Sequence, residues 1–411
     1  MDVDLISAEE TAARLGVKVE TVYAYVSRGR LTRVAAGDGR SSQFDAVTVD
    51  KLASRRRTSV ERVETGSTLS IDTAITQLGP DRLLYRGRDA AVCARTMTFE
   101  SVAEWLWTGT DPGETVTWAS DAATVGLAVK VGRFLPRGAL LPDHLRALTA
   151  VVAASDPLRF DTRPEAFMGA IRVLLSTLVD ALPVRRPGPT PKLRLGDHLV
   201  SHTFAARLWG RLSPLRADGP ALAALNAALV LLADHELATS TFGVRVAAST
   251  RADPYACVLT GLGVLAGPLH GSASAAVQLL FVEASQPEGS TAAVARLLRQ
   301  GERVPGFGHP LYPGGDPRAT ALLGLLRESG PNARRMAIVD GVLDAINRRH
   351  PMEPNIDFAL AALAFTSMMP NDSGETIFAL ARSAGWVAHA LEEFQAPPLR
   401  YRLRPASPKG S

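Results

Sequence analysis

The chain has 411 residues, 46% of them apolar and 21% charged, and its net charge is only +4. That length holds two or three domains with at least one large core, and a charge so nearly balanced gives no overall case for nucleic acid as a partner. No apolar run of about 18 residues is free of charge, which argues against a membrane span, and the acidic opening MDVDLISAEE argues against secretion.

In chain order, the first signal is a small basic head over residues 7–57. Ser7 followed by Glu10 is a capping-box pattern that opens a helix, SAEETAARL, stopping at Gly16. A second short helix, VETVYAYVSRG, ends at Gly29, and a turn at Gly37-Asp38-Gly39 precedes a third. Two short helices across a glycine-containing turn read as a helix-turn-helix. Arg28, Arg30, Arg33 and Arg40 stand where phosphate contacts would fall. The stretch resembles the helix-turn-helix of MerR-type and excisionase-type regulators, which implies DNA as a partner through residues 7–57. Small winged modules of this shape also serve in dimerisation or protein docking. The head is taken as residues 1–57 and the polar stretch 58–66 as a linker.

Residues 67–86, STLSIDTAITQLGPDRLLYR, read as a hairpin turning at Gly79-Pro80. Beyond about residue 97, apolar residues recur at helical spacing in FESVAEWLWTG, LPDHLRALTAVVAA, EAFMGAIRVLLSTLVDAL, ALAALNAALVLLADHELATSTFGVRVAAS and IDFALAALAFTSMM. PVRRPGPTP at 183–191 reads as a surface loop, since it cannot continue a helix. The body is therefore mainly α-helical. Cys93 and Cys257, far apart, exclude a disulfide framework and suit a reducing cytoplasm.

Three histidines stand in notable settings. His235 lies with Asp234 and Glu236 at one point of what reads as an otherwise apolar helix, and buried polar groups there need partners. His270 in AGPLHGSAS and His309 in VPGFGHPLYPGGDPR follow Gly/Pro clusters that let backbone approach a bound molecule. Asp357 in PNIDF, taken alone, reads as an N-cap or first-turn acid. Arg318 and Arg382, taken alone, are ambiguous, because arginines mostly lie on surfaces. The spacings fit no metal motif. GLGVLAG at 261–267 has neither the glycine spacing nor the preceding strand of a dinucleotide fingerprint.

Taken in order, DRLLYRGRD…FESVAEWLWTG, ADHELATSTF, GPLHGSASAA, GFGHPLY…DPRA, NIDF and ARSAGWVAHALE resemble the citrate synthase family, from about residue 67 to about residue 405. The resemblance implies an almost wholly helical, two-domain fold: a large domain of residues 67–267 and 377–411, and a smaller closing domain of residues 268–376. It implies a homodimer in the cytoplasm. It also implies condensation of acetyl-CoA with oxaloacetate and hydrolysis of citryl-CoA to citrate and coenzyme A, the acyltransfer step of the tricarboxylic acid cycle. Acetyl-CoA is there a substrate, and no cofactor or metal is called for. Asp357 would be the base, His270 would hydrogen-bond the thioester oxygen, and His309 would polarise the oxaloacetate carbonyl. His235, Arg318 and Arg382 would hold carboxylates. From RYRLRPASP, Arg404 (ahead of Arg402) would reach the partner subunit's site.

This chain departs from the family pattern at Ser272–Ala275, where Gly-Ala-Asn-Glu is usual, and at Ala238, where asparagine is common. PLYPGG stands after His309 where many members carry basic residues for coenzyme A phosphates. These departures leave open a 2-methylcitrate synthase using propionyl-CoA, and the fused helix-turn-helix leaves open a metabolite-sensing DNA-binding regulator built on the same module.

Overall fold

In the computed structural model the described residues are 5–15, 19–27, 31, 34–35, 42–46, 49, 71–185, 193–195, 198–200, 202–267, 273–301, 303–329, 332–348 and 351–402. The chain divides into two units, Met1–Asp72 and Thr73–Ser411.

In the first unit, strand β1 (Leu5–Ser7) runs into helix α1 (Ala8–Leu15), followed by α2 (Val19–Ser27), β2 (Val34–Ala35) and β3 (Ser42–Asp45). The sheet is antiparallel in the order β1-β3-β2, with Ile6 opposite Phe44 and Val34 opposite Gln43. Ser7 starts α1 as its capping pattern requires: its Oγ accepts the Glu10 N–H at 3.1 Å. The apolar faces of the two helices and the sheet close on one small core of Ile6, Ala12, Leu15, Val22, Leu31 and Phe44. Arg28, Arg30, Arg33 and Arg40 lie outside the described residues, as does the linker 58–66.

The second unit opens with a three-stranded meander, β4 (Thr76–Leu78), β5 (Leu83–Tyr85) and β6 (Arg88–Asp89), in which Leu78 faces Leu83 across the Gly79-Pro80 turn. Helices α3 (Ala90–Thr96), α4 (Phe99–Thr108), α5 (Ala122–Gly132), α6 (Leu141–Ser155) and α7 (Pro164–Ala181) follow. A two-stranded ribbon, β7 (Leu193–Leu195) with β8 (His198–Val200), precedes α8 (Phe204–Leu212) and α9 (Gly219–Leu232). Then come α10 (Thr239–Ser249), α11 (Pro254–Leu265), α12 (Ala273–Ala284), α13 (Gly289–Arg299), α14 (Pro317–Ser329), α15 (Ala333–Asn347), α16 (Ile356–Thr366) and α17 (Ser373–Phe394). The body is mainly helical, and the meander and ribbon are its sheets among the described residues. Short polar side chains set many helix starts: Asp89, Thr98, Asp121, Thr203, Asp218 and Asp253 each accept a first-turn N–H.

Helices α9 and α16 are apolar around their whole circumference, a pattern that has to be enclosed on every side. Their residues from Ala224 to Leu232 and from Phe358 to Thr366 are buried. Helices α12 and α14 pack on α16, and α9 packs on α14 and α17. Where α11 crosses α17, Gly261 lets the Trp386 indole lie against its backbone; a Cβ there would stand 2.5 Å from Trp386 Cδ2. Gly261 belongs to the GLGVLAG run, so that run serves helix packing. Cys93 and Cys257 are free and buried. Among the described residues no helix is long and apolar enough to cross a membrane.

One sequence expectation is corrected here. The stretch 221–249 reads as a single helix, but it is two: α9 stops at Leu232 and α10 starts at Thr239. Asp234, His235 and Glu236 sit in the break, with Glu236 at φ +54°. The Asp234 carboxylate takes the Glu236 N–H at 3.2 Å and the Thr76 hydroxyl at 2.6 Å, so a side chain supplies partners that a continuous helix would have drawn from its backbone.

Candidate active site

That break aims His235 inward. Its ring is 7% exposed, and its Nε2 shares a 3.0 Å hydrogen bond with the Tyr312 hydroxyl. Tyr312 lies in the Gly/Pro-rich loop between α13 and α14, wedged against both histidines: its ring centroid is 5.6 Å from that of His235 and 4.9 Å from that of His309. The two imidazoles stand 5.6 Å apart, edge to face.

The same loop is tied to the head of α16. Phe307 and Pro354 form an antiparallel bridge, Gly308 N–H donates to Glu353 O at 2.9 Å, and Asn355 N–H donates to Gly306 O at 2.9 Å. Gly306 is at φ +81°, and a Cβ would meet Val277 Cγ2 at 2.6 Å and Phe358 Cβ at 3.0 Å, so glycine is required twice over. Asn355 caps α16 by accepting the Asp357 N–H at 3.0 Å, while its Nδ2 donates to Gly308 O at 3.0 Å. Asp357 is accordingly a first-turn residue of α16, not its cap.

At the start of α14, Asp316 and Arg318 form a buried ion pair, Nε to Oδ1 at 2.9 Å and Nη2 to Oδ2 at 2.8 Å. Asp316 Oδ2 also accepts the Ile356 N–H at 3.0 Å, which joins α14 to α16 next to Asp357. Arg318 lies over the Tyr312 ring at 5.6 Å. From α17, Arg382 is 1% exposed and donates through Nε to Leu232 O at 2.8 Å, at the carbonyl end of α9 where a cation is favoured. Arg318 and Arg382 are thus both interior residues.

Burial and charge set the protonation states. Burial, then Arg318 and Arg382, hold His235 far below the ordinary imidazole range, and burial and Arg318 lower His309, so both rings are neutral at physiological pH. Burial pushes the Asp357 carboxyl up to about 6, against the pull of Arg318. Burial lowers Arg382 to about 10, Asp234 being the chief group that supports its charge. Burial likewise works against Arg318, but Asp316 outweighs it and its pKa stays above the ordinary value. The result is a pocket of neutral imidazoles and buried guanidinium groups around one carboxylate whose proton affinity is close to neutrality. Such a set can anchor carboxylates, polarise a carbonyl and remove a weakly acidic proton.

His235, His309, Arg318, Arg382 and Asp357, predicted from four separate segments, are therefore gathered within electrostatic reach of the two arginines. His270 and Arg404 lie outside the described residues. Tyr312, Asp316 and Asn355 are not singled out by the sequence reading. For Tyr312 the available signal is an aromatic three residues past His309 in a loop rich in glycine and proline. Among the described residues no group of three or more His, Cys, Asp or Glu side chains could hold a metal ion.

Residues 65–406 match a family model described as citrate synthase, C-terminal domain. Over 355 residues the chain is 28% identical to 2-methylcitrate synthase 2 of Corynebacterium glutamicum, covering 82% of this chain and 91% of that protein. It is 31% identical over 332 residues to citrate synthase of Haloferax volcanii, covering 76% of this chain and 86% of the relative. Among solved structures, citrate synthase from Thermotoga maritima superposes with a TM-score of 0.63 at 26% identity, covering 84% of this chain and 95% of that one.

Proposed function

The chain belongs to the citrate synthase family, and from that premise we propose that it joins the methyl carbon of acetyl-CoA to oxaloacetate and hydrolyses the citryl thioester to citrate and coenzyme A. What supports this reading is that Asp357, with its raised carboxyl, feels two buried arginines, Arg318 and Arg382, that also act on His235, while Arg318 acts on His309. Asp357 takes a proton from the acyl α-carbon, while His270 donates a hydrogen bond to the thioester oxygen as the enolate forms. That carbon attacks the oxaloacetate carbonyl, whose oxygen is polarised by a neutral His309 N–H. His235, Arg318 and Arg382 hold the oxaloacetate carboxylates, with arginine suited to planar two-point pairing. Water then cleaves the thioester. The acyl-CoA is a substrate, and the reaction needs no cofactor.

The finer organisation is part of the same proposal. Residues 268–376 form the closing domain over 67–267 and 377–411, and closure excludes water before the enolate forms. The chain works as a homodimer in the cytoplasm, with Arg404 reaching the partner subunit's site; two free buried cysteines fit a reducing compartment.

The test is release of coenzyme A thiol from acetyl-CoA or propionyl-CoA in the presence of oxaloacetate. Turnover with acetyl-CoA the better substrate is expected. A preference for propionyl-CoA moves the assignment to 2-methylcitrate, the product class named by the Corynebacterium relative. No turnover with either, alongside tight oxaloacetate binding, overturns the synthase reading in favour of a sensor.

For the first unit we propose a helix-turn-helix role in DNA binding. Its support is the pair of short helices Ala8–Leu15 and Val19–Ser27 set against a small antiparallel sheet, and the basic residues around them. The full chain is expected to retard duplex DNA with an affinity that falls steeply with salt. No retardation at low salt would assign the unit to protein docking instead.

A further inference from the structure

Behind the site runs a chain of buried polar groups that the proposed chemistry does not use. Asp234 is wholly buried, and its Oδ2 is where the chain ends: it accepts the Thr76 hydroxyl, the Glu236 N–H and, at 3.3 Å, His389 Nε2. On the far face of the His389 ring, Nδ1 lies 3.0 Å from Arg245 Nη1. A guanidinium can only donate, so Nδ1 accepts, the ring proton sits on Nε2, and His389 is a neutral donor to Asp234. Arg245 is 2% exposed and is held by Glu393 at 2.9 Å and Glu392 at 2.6 Å. Glu393 in turn receives both donors of Arg400, at 2.6 and 2.5 Å, and the Tyr401 hydroxyl at 2.8 Å. The segment Leu399–Arg402 is further pinned by Leu399 N–H on Ser249 O at 2.9 Å and by the Tyr401 ring against Phe242.

This chain has direction. One end is a surface strap near the C-terminus; the other is the carboxylate that holds the turn carrying His235 and is the main support for the charge of Arg382. Each link is a charged or charge-assisted hydrogen bond, buried from Asp234 to Glu393 and part-buried at Arg400, and a shift at one member changes what the next can hold. We infer that Arg245 and His389 are positioning residues, relaying the docking of Leu399–Arg402 through Asp234 to His235 and Arg382. This rests on the reading of those two residues as holders of oxaloacetate. The tail that would carry Arg404 to a partner's site thereby also reports to its own.

The experiment compares the wild-type full chain with His389→Leu, the strap variant Arg400→Gln/Tyr401→Phe, and their combination. Oxaloacetate Kd is read by calorimetry, and both KM values and kcat by thiol release. The strap variant alters partly exposed side chains and keeps the test alive if His389→Leu fails to fold. Each variant is expected to raise oxaloacetate Kd and KM about tenfold. The acyl-CoA KM should stay within about twofold, a split that general loosening would not produce. The combination is expected to fall well short of the product of the two effects, since both act along one chain. An unchanged oxaloacetate Kd in the strap variant, or KM values for both substrates rising together, overturns the relay. A wild type that binds oxaloacetate but turns over no acyl-CoA overturns the synthase reading alone.

Discussion

Asp357→Asn is expected to cut turnover by about 100- to 10,000-fold, the range a positioned general base supplies, while oxaloacetate Kd stays close to the wild-type value. The side chain keeps its shape and its place in the first turn of α16, and it loses only the capacity to accept a proton. Wild-type turnover carries the same signature in its pH dependence. The base must be ionised, so the rate is expected to fall as pH drops through about 6. Stability runs the other way. Folding raises this acid from its ordinary 3.8 to about 6, so the native state binds more protons than the unfolded chain across that window. Stability contributed by the protonated carboxyl is therefore withdrawn as pH rises from 3.8 to about 6. At neutral pH Asp357→Asn should consequently melt no lower than wild type. Loss of oxaloacetate binding in parallel with turnover would show that Asp357 holds the substrate rather than deprotonating it.

Arg318→Met is expected to destabilise the chain by about 3–5 kcal/mol, because it strands Asp316 as an uncompensated buried charge. The damage should spread to α16, whose Ile356 N–H rests on the same carboxylate oxygen. A double variant, Arg318→Met/Asp316→Leu, removes both charges and is expected to recover most of the melting temperature. It should not recover oxaloacetate binding. That contrast separates the two duties of Arg318, one to the fold and one to the substrate. Recovery of both by the double variant would make Arg318 purely structural, leaving Arg382 and His235 as the groups facing the oxaloacetate carboxylates.

What was legible in the sequence follows from what is local. The helix start at Ser7 announces itself, because a cap needs only a residue and the few that follow it. The hairpin at Gly79-Pro80 is of the same kind. The break at Asp234–Glu236 was not legible: its cause is a hydrogen bond to Thr76, 158 positions away. The interior place of Arg382 was hidden for a like reason, since its partner, the carbonyl of Leu232, lies 150 positions away. Tyr312 escaped because a tyrosine carries no sign of being a histidine's partner until the loop is folded. The candidate histidines stood out by their glycine, proline and acidic neighbours, whereas Asp357 alone read as a cap or first-turn acid and became a candidate only through the ordered motifs.

The bridge between residues 306–308 and 353–355 makes His309 and Asp357 passengers on a single strut. Two backbone hydrogen bonds set the spacing between the proposed polarising histidine and the proposed base. A tilt of one part of the body against another carries the pair as a unit, and so alters their aim at His235 and Arg382 rather than their aim at each other. The spacing of His309 and Asp357 is in this way fixed locally, apart from the packing that positions His235 and Arg382.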